Sequence, residues 1–450
     1  MKRNFVTYGL YPAPPTATAR VAYDWLGMLF LCLIFVTPLW PEYAELKMAG
    51  IPNMAPPRLI RAALIFATLF LFFRDRERAE TFVRRLRENW IVITLFVLLF
   101  ALRFASAFLG RSPALQAFAF IKSDFWTYLT IFFITLFVVR DERDIKRLIE
   151  VVVLAAAIVG LVALVEYYLK KNLFARFFTI TSDYLMVVLG DKTRDNVYRA
   201  QGTMEHPLLM GQFFAMVLPW CWYCFRYSER MLFRLIACGS GLLGVAAIYF
   251  SGSRSSFAVA IPLVALMFIW ELWRWTKRSS NRPAQYLMLL QFPLLLTAFG
   301  GVLLYIKTLA AGTTQITRGS ASVRMEMLNA GVPKVGDAVF MGHGLGEATN
   351  VVTFVGKGGI RTLDNYYLLV ALESGMIVVL LTAFLWLYFL FAAVAQSGKD
   401  DMRKARMSML LGLSVLGYII IMSIHSLQSL TWLLFVIFAC ILILREKKPV

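Results

Sequence analysis

Charge is scarce in this chain of 450 residues: only 16% are Asp, Glu, Lys or Arg, against roughly 25% in a soluble domain. A soluble protein of this size needs many more polar residues to cover its surface, which excludes that class. The apolar runs also lack alternation. The wall of a β-barrel alternates apolar and polar side chains, whereas these runs are continuously apolar. Cysteine is sparse, with 5 residues in all: Cys32, Cys221, Cys224, Cys238 and Cys440. All fall in apolar runs. Cys221 and Cys224 form a Cys-x-x-Cys, a pattern used in redox and metal chemistry, but no second ligand pair accompanies it and packing is the simpler reading. A secretory leader is not expected. Some twenty residues precede the first apolar run, and no small-residue cleavage site follows it.

What is present is hydrocarbon. Hydrophobic residues make up 59% of the chain, and the mean hydropathy is +0.67. Apolar runs of roughly 20 residues match a hydrocarbon core of ~30 Å. Each run must satisfy its own backbone hydrogen bonds, so helices are predicted. The first six spans are read as Tyr23–Trp40, Leu59–Phe73, Trp90–Leu109, Ala117–Val139, Leu148–Leu169 and Pro207–Phe225. The remaining six are Leu235–Phe250, Phe257–Trp273, Tyr286–Ile306, Met376–Ala395, Met407–Ile424 and Thr431–Leu444. The stretch Tyr366–Ala395 also fits a short helix followed by a full span. The predicted fold class is an all-α membrane protein of about 12 transmembrane helices.

A net charge of +19 is compatible with a nucleic-acid partner, but its distribution points to a bilayer instead. Cations crowd into alternate connections: Arg74 to Arg87, Arg140 to Arg147, Arg226 to Arg234, Arg274 to Arg282, and Lys399 to Arg406. Both chain ends are basic as well. The short intervening connections Pro41–Pro57, Gly110–Gln116 and His425–Leu430 are poor in cations. By the positive-inside rule both termini are expected in the cytoplasm, and the basic charge serves topology and anionic-lipid contact. No nucleic-acid partner is expected. This divides the chain into a five-span N-terminal bundle (1–169), a long outward loop (170–206), central spans (207–306), a second long outward loop (307–365) and C-terminal spans (366–450).

Both long outward loops carry cations. Long loops escape the positive-inside rule, so these charges are free to act on the outer face. The short outward turn Ser251–Ser255 holds Arg254 among small residues. Its guanidinium suits anion recognition, or it snorkels to headgroups. The second loop holds Arg324, then Gly342-His343-Gly344-Leu345-Gly346, then Asp364-Asn365 at the mouth of an apolar span. Gly-x-Gly-x-Gly is a weak phosphate signal without a preceding strand; a tight turn also explains it. A carboxylate at Asp364 is partly desolvated, as a general base requires, and Asp also caps helices. Within adjacent spans, Arg103, Lys122 and Asp124 are costly unless paired. A pair between Arg103 and Asp124 is the simpler solution, and lining a lipid-diphosphate path is the functional one.

These elements resemble the O-antigen ligase and O-antigen polymerase superfamily of membrane glycosyltransferases. Arg324 and Leu328 match the family's Arg-x-x-x-Leu. Asp364-Asn365, nine residues and Gly375 match its His-Asn-x9-Gly, with Asp in place of His. Arg199 to Pro207, including His206, resembles the segment that enters a mid-chain span, and Ser253-Arg254 resembles a Ser-Arg turn. The resemblance covers Arg199 to Gly375. It implies a GT-C-like enzyme of the bacterial inner membrane, working at the periplasmic face. The donor would be an undecaprenyl-diphosphate-linked glycan and the acceptor a glycan or lipid A core. Arg254 and Arg324 would clamp the diphosphate, and Asp364 would activate the acceptor hydroxyl, inverting the anomeric centre. Arg199, His206, Asn365, His343 and Gly344 are the associated substrate-binding candidates. His343 and His425 are outer-face alternatives for the base, although a lone His is more often structural. No Asp-x-Asp pair occurs in the outward loops, so neither metal nor other cofactor is expected. Three functions fit: a polymerase, a ligase, and a transporter of lipid-linked sugars. A transporter would show repeat symmetry and midplane charges; the chain shows no repeat, and its candidate charges gather on one face.

Overall fold

The computed structural model describes residues 24–41, 43–44, 46–48, 51–110, 118, 124–177, 188–190, 192–193, 197–278, 315–352 and 363–446. Long helices dominate, as continuous apolar runs require. They are α1 (Trp25–Leu39), α2 (Pro56–Arg74), α3 (Arg76–Glu88), α4 (Trp90–Leu109), α5 (Thr130–Val138) and α6 (Glu142–Leu169). After α6 come α7 (Pro207–Tyr227), α8 (Met231–Phe250), α9 (Arg254–Arg278) and α10 (Gln315–Gly336). The chain ends in α11 (Tyr366–Ser397), α12 (Met402–Met422) and α13 (Thr431–Arg445). A π-helical turn, Phe125–Leu129, leads into α5.

Among the described residues, 8 helices are long and apolar enough to cross a membrane, and α1, α13 and the Phe125–Val138 stretch are shorter apolar helices. They coincide with expected spans. The expected span Tyr286–Ile306 and the residue Lys122 lie outside the described residues. Two features depart from the all-α reading with long open loops. Residues of the connection Pro41–Pro57, expected to face outward, pair as antiparallel strands β1 (Leu46–Met48) and β2 (Ile51–Met54). The segment 307–365, expected to be a long outward loop, contains the 22-residue α10. Its helical register is held by packing: Met327 is buried with Leu368 and Leu372 of α11, and a Cβ on Gly331 would lie 2.8 Å from Leu368.

The helix starts follow capping chemistry. Asp75, Asp141 and Asp401 each accept from backbone N–H groups of the first turn, which satisfies donors that have no intrahelical partner. Burial explains how the shortest spans survive. From Trp432 to Leu444 every apolar side chain of α13 is buried, so the helix is enclosed by its neighbours rather than by lipid. Rings fill the layer around it, with Phe389 stacked on Phe438 at 4.0 Å and Phe96 against Phe435 at 5.4 Å.

The two ends of the bundle differ. At one end the basic connections are tied together. Arg85, 2% exposed, donates to the carbonyls of Leu136, Val139 and Arg140 and pairs with Glu446 at 2.5 Å. Arg78 pairs with Asp24 at 2.9 Å, and Arg274 donates to the carbonyls of Gly398 and Lys399. Some of the cations that marked topology in the sequence are therefore also structural ties. The opposite end gathers the segments around residues 199–206, 251–254, 340–346, 363–375 and 423–430.

Candidate functional site

Glycine shapes this end. α11 breaks at Gly375, which has φ 82° and ψ 170°, so Tyr366–Ala395 takes the form of a short helix followed by a full span. A break exposes carbonyls, and the glycine-rich turn covers them. The N–H of His343 donates to Leu372 O at 2.7 Å, and that of Gly344 to Glu373 O at 3.0 Å. The N–H of Gly346 donates to the Glu373 carboxylate at 3.0 Å. Gly342, Gly344 and Gly346 all have positive φ, a region glycine enters freely. His343 is buried, and its Nε2 lies 2.9 Å from Lys334 O. His343 and Gly344 are thus engaged in holding the break, about three helical turns beyond Asn365.

Asp364 and Asn365 divide the work at the head of α11. Asn365 is the cap: its side-chain oxygen accepts from Leu368 N–H at 3.0 Å, and its Nδ2 donates to Ser423 O at 3.1 Å. Asp364 is therefore not needed as the cap. It faces Arg324 of α10, Oδ2 to Nε 3.7 Å, with the two side chains 37% and 34% exposed. Burial lifts the Asp364 carboxyl above its ordinary value, and Arg324 opposes that rise. The pair stands at the boundary between interior and solvent, where a carboxylate can accept a proton and a guanidinium can hold an anion.

A second cluster adjoins it. His206 caps α7, its Nδ1 accepting from Leu208 N–H at 3.1 Å. Burial, then Arg199, Lys192 and His425, push the imidazole down to about 3. It is therefore neutral at physiological pH. Arg199 donates through Nε to Ser251 O at 2.7 Å, and Gly252, with φ +59°, lies beneath that side chain. Arg199 is thereby fixed to the turn that carries Arg254, the first residue of α9. Burial and Arg199 lower the Lys192 ammonium.

The turn 423–430 joins the clusters. Ser426 Oγ donates to Leu363 O at 2.6 Å, and Ser429 Oγ donates to Glu205 Oε2 at 3.3 Å. Asp364, Arg324, Asn365, Arg199, His206 and Arg254 are thus assembled by bonded segments at one end of the bundle. His343 and Gly344 belong to the same end but act on the helix break.

Residues 239–383 match a model of the O-antigen ligase family. The segment is therefore similar to the domain that this family shares. It contains Arg254, Arg324, Asp364, Asn365 and the Gly375 break; Arg199 and His206 precede it. No curated protein matches the chain. The match supports membership of the O-antigen ligase and polymerase superfamily, in a multi-pass membrane protein.

Sequence reasoning missed Glu166. This residue of α6 is 0% exposed, and its carboxylate accepts from Tyr198 OH at 2.9 Å, Gln201 N–H at 3.2 Å and Gly202 N–H at 2.7 Å. It fastens the Arg199 segment to the bundle. A lone acid inside an apolar run is itself a signal. The Arg103–Asp124 pair is formed at 2.8 Å. Cys221 is buried against Ser240 at 3.4 Å, and among the described residues no group of His, Cys, Asp and Glu is arranged to hold a metal.

Proposed function

We propose that this protein is a glycosyltransferase of the bacterial inner membrane that polymerises surface polysaccharide at the periplasmic face. In this reading it has twelve spans in a GT-C-like arrangement, with both termini in the cytoplasm. The site end faces the periplasm. The alternating loop charge supports that orientation. The donor is a glycan on undecaprenyl diphosphate, and the acceptor is a glycan hydroxyl. The observation that carries the reading is the pairing of Asp364 with Arg324, 3.7 Å apart, at the mouth of an apolar bundle and inside the segment that matches the O-antigen ligase family.

The chemistry follows from the two groups. Asp364 takes the proton of the acceptor hydroxyl as its oxygen attacks the anomeric carbon. The carbon–oxygen bond to diphosphate breaks on the opposite side, so the configuration inverts. Arg324 and Arg254 bind the phosphates and offset the charge that develops on the leaving group, which is often the largest contribution to catalysis. Two guanidinium groups supply that charge without a divalent metal. Arg199 and His206 line the approach; Asn365, His343 and Gly344 support it.

A ligase that moves the finished glycan to lipid A core is the second reading, favoured by the description of the matching family. Deleting the gene separates the readings. Single repeats left on the carrier lipid indicate lost polymerisation, and long chains left there indicate lost ligation. Repeats stranded on the cytoplasmic face indicate transport and would sink both. Complementation with Asp364→Asn tests the base. Transfer should fall about 10²–10⁴-fold at unchanged membrane abundance, and full activity would refute the assignment.

A further inference from the structure

His425 lies in the turn between α12 and α13, outside the matched domain, and the reaction above leaves it without a task. Its side chain is 1% exposed. The Leu427 N–H donates to its Nδ1 at 3.3 Å. Nδ1 is therefore the acceptor nitrogen, and the ring proton sits on Nε2. That Nε2–H is buried and has no hydrogen-bond partner among the described residues. Native folds pair nearly all such groups, so an orphaned donor at a site is informative.

The ring cannot easily turn away. Asn365 holds Ser423 at 3.1 Å, Ser426 holds Leu363 at 2.6 Å, and Ser429 holds Glu205 at 3.3 Å. Those bonds press the turn against both the Asp364 segment and the His206 segment. Charged and titratable groups face it from three elements. Arg324 comes from α10, Asp364 from the head of α11, and Glu205 and His206 from the head of α7; Arg324 and His206 are within electrostatic range of the ring. Burial, then Arg324, push the imidazole down to about 4, so it remains neutral where the protein works. A neutral ring with its proton fixed on Nε2 and its lone pair engaged at Nδ1 is no base. It can donate one hydrogen bond to an anionic oxygen.

Resting on the transferase reading, we propose that His425 Nε2–H donates to a phosphate oxygen of the departing diphosphate, beside the Arg324 guanidinium. His425 keeps its proton throughout. The bond from the anomeric carbon to the diphosphate oxygen breaks with its electron pair on that oxygen. The acceptor oxygen forms the new bond, and its proton passes to Asp364. His425 and Arg324 share the charge left on the diphosphate.

The test uses the full chain in lipid nanodiscs, with undecaprenyl diphosphate as the binding probe and transfer from a glycan-loaded carrier as the rate assay. His425→Gln places an amide N–H near the Nε2 position, whereas His425→Asn keeps an acceptor for Leu427 but stops short of it. His425→Gln should bind the probe nearly as wild type and keep the acid limb of the rate profile, which belongs to Asp364. His425→Asn should bind about tenfold or more weakly and transfer correspondingly slower. Equal behaviour of the two variants overturns the proposal, as does an acid limb lost in His425→Gln. If wild type does not bind undecaprenyl diphosphate, or Asp364→Asn stays fully active, the transferase reading itself falls. Wild-type binding lost in Arg324→Ala but kept in His425→Asn refutes only the role of His425.

Discussion

Glu166 offers the sharpest test of how the bundle holds its site. The carboxylate offers acceptors only and meets three donors: Gly202 N–H on Oε2, Gln201 N–H and Tyr198 OH on Oε1. Glu166→Gln keeps the shape but turns one oxygen into a donor. Whichever oxygen is lost, a buried backbone N–H then faces an NH2 group. An unsatisfied buried donor costs about 1–3 kcal/mol. The segment can escape that cost by shifting, and Arg199, whose Nε reaches Ser251 O at 2.7 Å, shifts with it. If the whole cost appears as lost positioning, transfer falls about fivefold to 150-fold. The assay is single-turnover transfer in proteoliposomes, for Glu166→Gln alone and in an Arg199→Ala background. Residues acting through one another are non-additive, so the second substitution should cost less than about twofold once Arg199 is gone. A full, multiplicative loss in the Arg199→Ala background would refute the reasoning, because Glu166 would then act on the fold at large.

Arg324→Gln should move the acid limb of kcat/KM to higher pH. The base works only when deprotonated, Arg324 holds the Asp364 carboxyl down against burial, and its loss lets the carboxyl rise; a limb unmoved or moved to lower pH refutes the pairing. Gly375→Ala should abolish stable membrane expression, because the new Cβ would lie 2.2 Å from Phe340 O at a φ of +82°; yield after detergent extraction reads this out. Asn365→Ala removes the cap of α11 at a cost of about 1 kcal/mol and also the bond to Ser423. It should therefore lower both thermal stability and transfer, and an effect on neither would show that the cap does not organise the site.

The sequence spoke clearly where the physics is local. Apolar length marked the described spans, because each helix satisfies its own backbone and needs no distant partner. Residue order alone also brought Arg324, Asp364 and Asn365 into one segment, through motif spacing. It offered the cap to Asp364, since Asp caps well; the bonds from Leu368 and to Ser423 give that role to Asn365 instead. α10 was hidden for a different reason. Its residues are mixed in polarity, and its helix is favoured by Met327 packing on Leu368 and Leu372, a contact made across a long interval of chain. The glycine run reads in sequence as a weak phosphate signal or a tight turn; the turn is formed, and the partner it covers, the break at Gly375, lies some thirty residues downstream and is invisible to local pattern.

In the proposed reaction, an aspartate where the resembled pattern carries histidine changes what the rest of the site must supply. A neutral imidazole base adds no charge beside a diphosphate, whereas a carboxylate adds a negative charge that repels the donor and weakens the clamp. In the proposed reaction Arg324 has two demands on it, since it faces Asp364 at 3.7 Å and must also meet phosphate. The pair is too long for a tight hydrogen bond, and Arg324 Nε is buried without a hydrogen-bond partner among the described residues, so the guanidinium is not wholly committed to the carboxylate. Arg199, Arg254 and Lys192 add positive charge around it, and His425 adds a donor that costs no further charge. A carboxylate base is then compatible with an anionic donor because the surroundings, rather than the base, carry the compensation. On that logic the aspartate belongs with the cations around it: Asp364→His, the residue of the resembled pattern, should lower transfer in the proteoliposome assay, since those cations are balanced for a carboxylate, and transfer at or above wild type would refute that balance.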